Sequence, residues 1–258
     1  MMSWQFFVLF VAMLFVGMLI AVLAGWRIAV RHRARGPDGI WGKTGAVDGA
    51  IFGLMGLLLA FTFSGAATRF EARRALIAEE ANAIGTSYLR LDLLPPETQP
   101  PLREAFRRYV RSRLEVYDKI PDVDAVKAAL RKSAHIQNEI WQQTVAAAQK
   151  SDRHALMALA LSSLNQMIDI TTTRTVAFYA HPPQVIFIML GVTVLVSSLL
   201  AGYSMSVAGR PSTLHIMMFI LLVGVSVYVI LDFEYPRIGL IRIDPIDSVL
   251  VDTLERMK

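Results

Sequence analysis

The sequence predicts an all-α membrane protein with four transmembrane helices and an extramembrane antiparallel helical bundle inserted between spans two and three. Two observations support this prediction. A long polar segment, 69–183, divides the apolar part of the chain and is long enough to form its own core. Four stretches contain no Asp, Glu, Lys or Arg, and each holds about the 20 apolar residues that cross a bilayer: 1–26, 49–68, 175–209 and 211–231.

Composition agrees with this division. The 258 residues are 54% hydrophobic, and their mean hydropathy is +0.46. The chain is therefore too apolar for a soluble domain and too polar to lie entirely in lipid. The formal net charge is +5, which we assign to basic loops beside the bilayer. No patch interleaves Lys or Arg with aromatic residues, so no nucleic-acid partner is expected. The absence of Cys excludes disulfides and thiolate chemistry.

These patterns predict four parts. Residues 1–68 hold spans one and two with a basic loop, 69–183 form the helical bundle, 184–231 hold spans three and four, and 232–258 form an extramembrane tail with a short amphipathic helix. The first apolar run is predicted to be an uncleaved span rather than a signal peptide, because it is long and nothing basic precedes Arg27.

Apolar periodicity predicts four helices in the bundle, the first continuing out of span two. Its stripe consists of Ile77, Ala81, Ile84, Tyr88 and Leu91. Prolines separate the helices, and Asp122 and Asp152 are predicted to stand at the starts of the third and fourth. The apolar positions of the later helices are Leu102, Phe106, Tyr109, Val110 and Tyr117, then Val126, Ala129, Leu130, Ile136, Ile140 and Trp141, then Leu156, Leu159, Met167 and Ile170. The tail is predicted to be extended at 240–243, and its helix to dock onto the bundle or the membrane surface.

The orientation prediction depends on basic residues beside the spans. Each side of the membrane has six: Arg27, Arg31, Arg33, Arg35, Lys43 and Arg210 on one, and Arg69, Arg73, Arg74, Arg174, Arg237 and Arg242 on the other. Short loops weigh more than long domains in setting orientation. We therefore predict that the basic loop 27–48 is cytoplasmic and the bundle extracytoplasmic, in a bacterial inner membrane.

Catalytic patterns are not found. The five histidines have no ligand spacing, and no glycine-rich phosphate loop or Ser/His/Asp arrangement occurs. The neighbouring carboxylates Glu79 and Glu80 point apart on a helix, which favours one solvated group and one salt-bridge partner. We therefore expect no enzyme activity, no metal site and no cofactor.

Span two is the most informative segment, because small residues repeat along it every four positions. Gly45, Gly49 and Gly53 form one strip, and a second follows beside it: Gly56, Ala60, Ser64 and Thr68. Such strips allow helices to pack closely in lipid. The alternative is that the strip faces a narrow path in an oligomer, where hydroxyls solvate ions and Phe61 or Phe63 forms an apolar constriction. The pore-lining candidates are Gly53, Gly56, Ala60, Phe61, Phe63, Ser64 and Thr68.

Similar strips in spans one and three are assigned to packing: Gly17, Ala21 and Gly25, and Ser198, Gly202 and Ser206. No charge lies deep in a span, which argues against a charge-coupled transporter. Thr171–Thr173 and Arg174 precede span three, where they would attract an anion or anchor the helix at the interface. The expected partners are the lipid bilayer, inorganic ions with anions as one option, and further copies of the chain.

The segment GLLLAFTFSGAATRFEARRAL, beginning at Gly56, and the EEANAIGTSYLRLDLLP that follows soon after resemble the prokaryotic bestrophin-like integral membrane proteins of unknown function. The resemblance includes two spans on each side of a helical insert and a tail like DFEYPRIGLIRID. Phe61, Arg69, Phe70, Glu71 and Arg73 are also similar to a stretch of true bestrophins, although one aromatic residue and an asparagine-rich run are absent.

The second resemblance implies a function. Bestrophins are pentameric ion channels, mostly for anions, with an apolar neck lined by their second transmembrane helix. It therefore implies that span two lines a pore, with Gly56, Ala60, Phe63 and Ser64 on the lining. The pore-mouth candidates are Arg69, Glu71, Arg73 and Arg174. No acidic cluster matches the bestrophin calcium clasp, so none is carried over. Bestrophins hold their helical domain in the cytoplasm, opposite to the charge-based orientation.

Together these patterns predict a passive ion channel formed by a homo-oligomer, with its pore lined by span two. The alternative is a non-conducting membrane scaffold or sensor whose helical bundle binds a protein partner.

Overall fold

The computed structural model describes residues 4–34, 45–120, 122–207, 212–237 and 239–257, and these form helices joined by turns, with no strand among them. The α-helices are α1 (Trp4–Arg33), α2 (Gly45–Leu89), α3 (Gln99–Asp118), α4 (Val123–Gln149), α5 (His154–Tyr179), α6 (Gln184–Val207), α7 (Thr213–Glu234) and α8 (Ser248–Glu255). Short 3₁₀ turns lie at Arg90–Leu93, Pro96–Thr98 and Asp244–Asp247. The all-helical prediction is confirmed.

Four segments are long and apolar enough to cross a membrane: Val8–His32, Gly45–Leu93, His154–Met205 and Thr213–Glu234. Each contains a predicted span or most of one. The helix of span two continues without a break into the polar segment, as predicted. Most of the basic loop (35–44) and Arg210 lie outside the described residues, as does the side chain of Ser206.

The chain divides into two compact units. The first, which we call the membrane unit, contains the described parts of Met2–Thr68 and His181–Tyr235. The second, the bundle unit, contains Arg69–Ala180 and the described part of Pro236–Lys258. Helix α2 contributes residues to both.

Glycines allow helices α1 and α6 to approach closely in the membrane unit. A Cβ atom on Gly25 of α1 would overlap the backbone of α6 at Leu199, and one on Gly202 of α6 would overlap α1 at Val22. A Cβ on Gly17 would lie 3.2 Å from Leu195 Cδ2. Close backbone approach through small residues is how helices pack in lipid. These glycines of spans one and three therefore serve packing, as the sequence predicted.

The core of the bundle unit is formed by α2, α3, α4 and α5 with part of the tail. Every residue of the predicted α2 stripe is buried. Of the four apolar positions predicted for α5, Met167 is buried and Leu156 packs partly buried against the core. Ile170 is half-buried, and the prediction is wrong at Leu159, which is 48% exposed. The buried apolar residues of α5 are Met157, Ala160, Leu164 and Met167. Helix α5 has more apolar residues than one face holds, so periodicity allowed two phases.

The two residues predicted to cap helices have different outcomes. The Asp122 carboxylate accepts hydrogen bonds from the backbone N–H groups of Asp124 and Ala125, both at 3.0 Å, and so caps α4 as predicted. The predicted cap Asp152 is wrong, because α5 begins two residues later at His154. The residue preceding that helix is Arg153, whose N–H donates to Ser151 Oγ at 3.2 Å.

The tail lies against the bundle. Leu250 and Met257 are buried in the bundle core, which selects docking on the bundle over docking on the membrane surface. The predicted extended stretch 240–243 is wrong, because these residues form bends and the Ile243 N–H donates to Pro236 O at 3.1 Å.

The contact between α1 and α6 leads to a stability prediction. Gly25→Ala should destabilise the chain by about 1–3 kcal/mol, because overpacking forces a backbone shift. At about 2–4 °C per kcal/mol for a chain of this size, the melting temperature in detergent, followed by tryptophan fluorescence, should fall by roughly 2–12 °C. The matched control is Gly49→Ala, where an added Cβ meets nothing within 4 Å. An equal loss in both variants would contradict this account of the packing.

Candidate functional site

Helix α2 has one exposed face along its first half. All the pore-lining candidates lie on it: Gly53, Gly56, Ala60, Phe61, Phe63, Ser64 and Thr68 are exposed. A Cβ atom on Gly45, Gly49, Gly53 or Gly56 would meet nothing within 4 Å. Unlike Gly25 and Gly202, these glycines make no close approach to another described helix of the same chain.

The exposed faces of the other spans differ in composition. Helices α1, α6 and α7 expose large aliphatic side chains of the kind that face lipid, among them Ile20, Leu23, Ile188, Val192, Leu221 and Leu222. On α2, exposed Leu54 and Leu57 are interspersed with glycine, alanine, serine and threonine. Large side chains cover a helix backbone from lipid, whereas small ones leave it accessible to a neighbouring helix or to a water-filled path.

The two phenylalanines of this face are in different environments. Phe63 is 44% exposed, and its ring packs edge-on against Phe233 of α7, with centroids 5.7 Å apart. Phe61 is 67% exposed. Since residues two apart lie on different sides of a helix, the two rings flank the small-residue strip on opposite sides. Phe63 is thus partly held by α7, and Phe61 is the freer aromatic ring.

The hydroxyls of the strip also differ. Thr68 Oγ1 donates to Ser64 O of the preceding turn at 2.8 Å, so its proton is already used within the helix. The Ser64 hydroxyl makes no hydrogen bond within the described part of the chain, and it is exposed. Ser64 therefore offers both a donor and an acceptor to a ligand or ion.

The four pore-mouth candidates do not form one group. Arg73 is buried and donates to Ala177 O at 3.1 Å and Ala180 O at 2.9 Å, which satisfies carbonyls at the end of α5. Glu71 is exposed and pairs with Arg74 at 2.9 Å. Arg69 is half-buried. Arg174 is buried and contacts Glu80.

Glu80 is the centre of a buried ion cluster in the bundle unit. Its side chain is 0% exposed. Arg113 Nε of α3 lies 2.6 Å from Glu80 Oε1, and Arg113 Nη2 lies 3.3 Å from Oε2. Arg174 of α5 pairs with the other side of the same carboxylate. One carboxylate thus joins α2, α3 and α5.

The cluster continues into the tail through Asp247. Arg174 Nη2 lies 3.2 Å from Asp247 Oδ1, and Arg237 Nη1 lies 2.9 Å from Asp247 Oδ2. The Tyr117 ring packs against both arginines, with guanidinium carbons 4.2 Å (Arg174) and 4.4 Å (Arg237) from its centroid. Such contacts are favourable because the ring face is electron-rich.

Burial shifts the ionisation of these groups. It is the largest cause that raises the pKa of Tyr117 to about 12, so its hydroxyl stays protonated and accepts a hydrogen bond from Arg113 at 2.9 Å. Burial disfavours the charge of Arg113, but Tyr117 and Glu80 outweigh it and raise the pKa of Arg113 above its ordinary value. Burial also opposes the charge of Glu80, but Arg113 and Arg174 outweigh it and hold the pKa of Glu80 below its ordinary value, so Glu80 and Arg113 stay charged near neutral pH.

The apolar stripes of α2 and α3 contain a sequence signal for this cluster. Glu80 stands three residues after Ile77 and four before Ile84, on the buried side of α2, whereas Glu79 is exposed. Arg113 stands four residues after Tyr109 and four before Tyr117. A charged residue in phase with a core stripe indicates a buried partner. The prediction of one solvated and one paired carboxylate is confirmed, and the stripe identifies the paired one.

Other polar groupings are weaker. A shallow groove between α2 and α5 is lined by Glu79, Ala83, Gln166, Asp169, Ile170 and Thr173. In the membrane unit, His181 Nδ1 lies 2.8 Å from Glu234 Oε1. Across the described residues, no group of three or more histidines and carboxylates is arranged to hold a metal ion.

The cluster predicts unequal effects for two neighbouring carboxylates. Glu80→Gln should destabilise the chain by about 3–5 kcal/mol, because removing one partner of a buried pair leaves the other charge uncompensated. The melting temperature in detergent should fall by about 6–20 °C. Glu79→Gln makes the same chemical change one residue away on the exposed face and should leave it unchanged. An equal fall in melting temperature in the two variants would show that Glu80 is not the buried carboxylate that joins α2, α3 and α5.

Comparisons with known proteins give the family. Residues 12–247 match the family model of the Bestrophin-like domain. The fold is similar to the crystal structure of a mutant bacterial bestrophin homologue from Klebsiella pneumoniae, with a TM-score of 0.67 and 12% sequence identity over 94% of this chain and 99% of that chain. No curated protein matches significantly. The match spans both pairs of predicted spans and the inserted bundle, and the chain belongs to the Bestrophin-like family.

Proposed function

We propose that the chain assembles into a homo-oligomer in the bacterial inner membrane and conducts inorganic ions passively along a path lined by α2. One observation carries this proposal. The exposed face of α2 has glycine, alanine, serine and threonine where the other spans expose large aliphatic side chains. Membership of a family known for ion channels supports a channel-type role.

The path requires several copies of the chain. Four spans are too few to surround a water-filled path, and the small residues of α2 face away from the other described helices of their own chain. In a ring of copies, these faces would converge on the axis. Small side chains leave room there for partly hydrated ions.

Within such a path, each candidate has a defined task. Ser64 would solvate the ion through its uncommitted hydroxyl. Phe61 would form the apolar constriction that opens by wetting. Phe63 is the weaker candidate, because its edge-on contact with Phe233 holds it toward α7. Gly53, Gly56 and Ala60 would line the wider part.

The charges at the mouth bear on selectivity. Arg73 and Arg174 are buried and occupied by carbonyl and carboxylate oxygens, which weakens the idea that they attract an anion. Arg69 and Glu71 stay mouth candidates. The reversal potential in asymmetric KCl assigns the sign of the permeant ion directly.

Passive conduction fits the distribution of charge along the spans. Asp48 lies in the first turn of α2, and Asp232 and Glu234 lie at the end of α7. No charged side chain lies in the middle of a described span. Coupled transporters and proton pumps need such groups.

The alternative function is a non-conducting scaffold or sensor that binds a protein through its bundle. The groove between α2 and α5 favours it, because Glu79 and Asp169 line this groove and form no ion pair with the other described residues. A partner with basic side chains would fit there.

Planar-bilayer recording separates these functions. We expect purified wild-type protein to conduct, and Phe61→Ala to raise the current several-fold, because removing the ring widens an apolar constriction. Phe63→Ala is the matched control and should change the current less. Electron microscopy of the same preparation should show a ring with an axial path.

The outcomes distinguish the claims. Absence of current from a ring-shaped wild-type particle would favour the scaffold. Current that is unchanged in Phe61→Ala but altered in Phe63→Ala would place the constriction on the α7 side of the strip.

We also propose that the basic loop is cytoplasmic and the bundle extracytoplasmic. The chain contains no native cysteine, so one introduced thiol reports one position. Lys127→Cys, on the exposed side of α4, should react with a membrane-impermeant maleimide in intact spheroplasts, whereas Ala34→Cys should react only after lysis. The reverse result would give the orientation that the resemblance to bestrophins implies.

A further inference from the structure

The tail is attached to the bundle through both polar and apolar groups. The carbonyl oxygen of Met257 accepts hydrogen bonds from Tyr88 Oη at 3.0 Å and from Arg107 Nη1 at 2.8 Å. Asp247 contacts Arg174 of α5 and Arg237 of the tail itself. The apolar attachment includes buried Leu250 and Met257, with Val249 and Leu254 partly buried beside them, and Ile243 of the tail is buried as well.

Little of the tail is regular α-helix. Helix α8 has eight residues, and isolated helices shorter than about 12–15 residues are marginal in water. Much of the rest of the tail forms turns and bends. Segments with few buried apolar contacts open locally before the whole domain unfolds. Loss of an ionic contact should therefore favour local opening of the tail.

Asp247 is the central ionic contact. Its side chain is 14% exposed and lies between two guanidinium groups that both pack on the Tyr117 ring. Without the Asp247 charge, Arg174 and Arg237 would stand close together on one ring with less compensation, and their repulsion would favour release of the tail.

We propose that the described residues of the tail, 236–237 and 239–257, form a strap that opens and closes on the bundle as one unit, with Asp247 as its ionic clasp. In the closed strap, Arg174 bridges Asp247 and Glu80. Opening removes Asp247 from that bridge and frees Arg174 to move relative to Glu80. Strap closure thus tightens the link between α5 and α2.

The contact of Arg174 with Glu80 connects the strap to the helix that enters the membrane, and we call this connection the route to the membrane. Glu80 lies on the same helix as the proposed pore-lining strip, since α2 is one helix from Gly45 to Leu89. Strap closure would stiffen α2 and so change the gating of the path. This step rests on the proposed function, whereas the opening of the strap does not.

Hydrogen exchange on the full chain in detergent tests the opening. In the wild type, amides of α8 should exchange at least tenfold faster than the buried amides of α3 and α4, and peptides across the strap should exchange together. Exchange of α8 at the rate of α3 and α4 would overturn the proposal, because the tail would then be a fixed part of the core.

Two variants test the clasp. Asp247→Asn should speed exchange of the strap by a further tenfold or more and leave α4 unchanged. Asp252→Asn makes the same change on the exposed side of α8 and should have no effect. Equal exchange in the two variants, or equal acceleration of α4 and the strap in Asp247→Asn, would overturn the proposal.

Bilayer recording of the same variants tests the route to the membrane. Asp247→Asn should change the open probability while Asp252→Asn does not. A strap that opens in hydrogen exchange but leaves the open probability unchanged would overturn the route alone. Absence of current from every variant, wild type included, would count against the proposed channel and the route, and leave the strap supported by exchange.

Discussion

The Glu80 carboxylate is a negative charge without access to water, and much of the bundle is arranged around it. A charge in that position is tolerated only when opposite charges and hydrogen-bond donors replace its hydration. Arg113 and Arg174 supply them from two other helices. Because Arg113 belongs to α3 and Arg174 to α5, the carboxylate links both of these helices to α2.

The same cluster makes the tail part of the bundle. Arg174 is shared between Glu80 and Asp247, and Tyr117 lies against Arg174 and Arg237. Arg174 of α5 therefore contacts the helix that enters the membrane through Glu80, and the segment that follows the last span through Asp247. A hydrophobic cluster of equal size would hold the helices together, but it would not respond to the loss of one charge.

Lipid imposes a different constraint on the membrane unit. Apolar surface is not driven together in a bilayer, so helices associate where small residues permit close contact. Gly25 and Gly202 meet this requirement between α1 and α6. The glycines of α2 have the same spacing but no partner backbone nearby in the described chain. The spacing is the same in the two strips, and only the tertiary structure shows that the first meets a partner backbone and the second meets none among the described residues.

Several sequence predictions failed for a common reason. Helix α5 carries apolar residues on more than one face, so its buried phase depended on the neighbours it meets, and Leu159 proved exposed. Asp152 is a good capping residue by type, but the helix starts two positions later, at His154. Local chemistry gives the possible ends and faces of a helix, and tertiary contacts choose among them.

By itself, the sequence determined that the chain has four apolar segments, a helical insert and a proline break before the third span, because these depend on composition, periodicity and proline geometry. It also indicated one paired carboxylate at Glu79–Glu80. Only the tertiary structure decided that Glu80 is the paired one, that its partners are Arg113 and Arg174, and that Asp247 of the tail joins them. Those partners lie far apart along the chain, and no local pattern encodes which distant side chains a fold brings within a few ångströms.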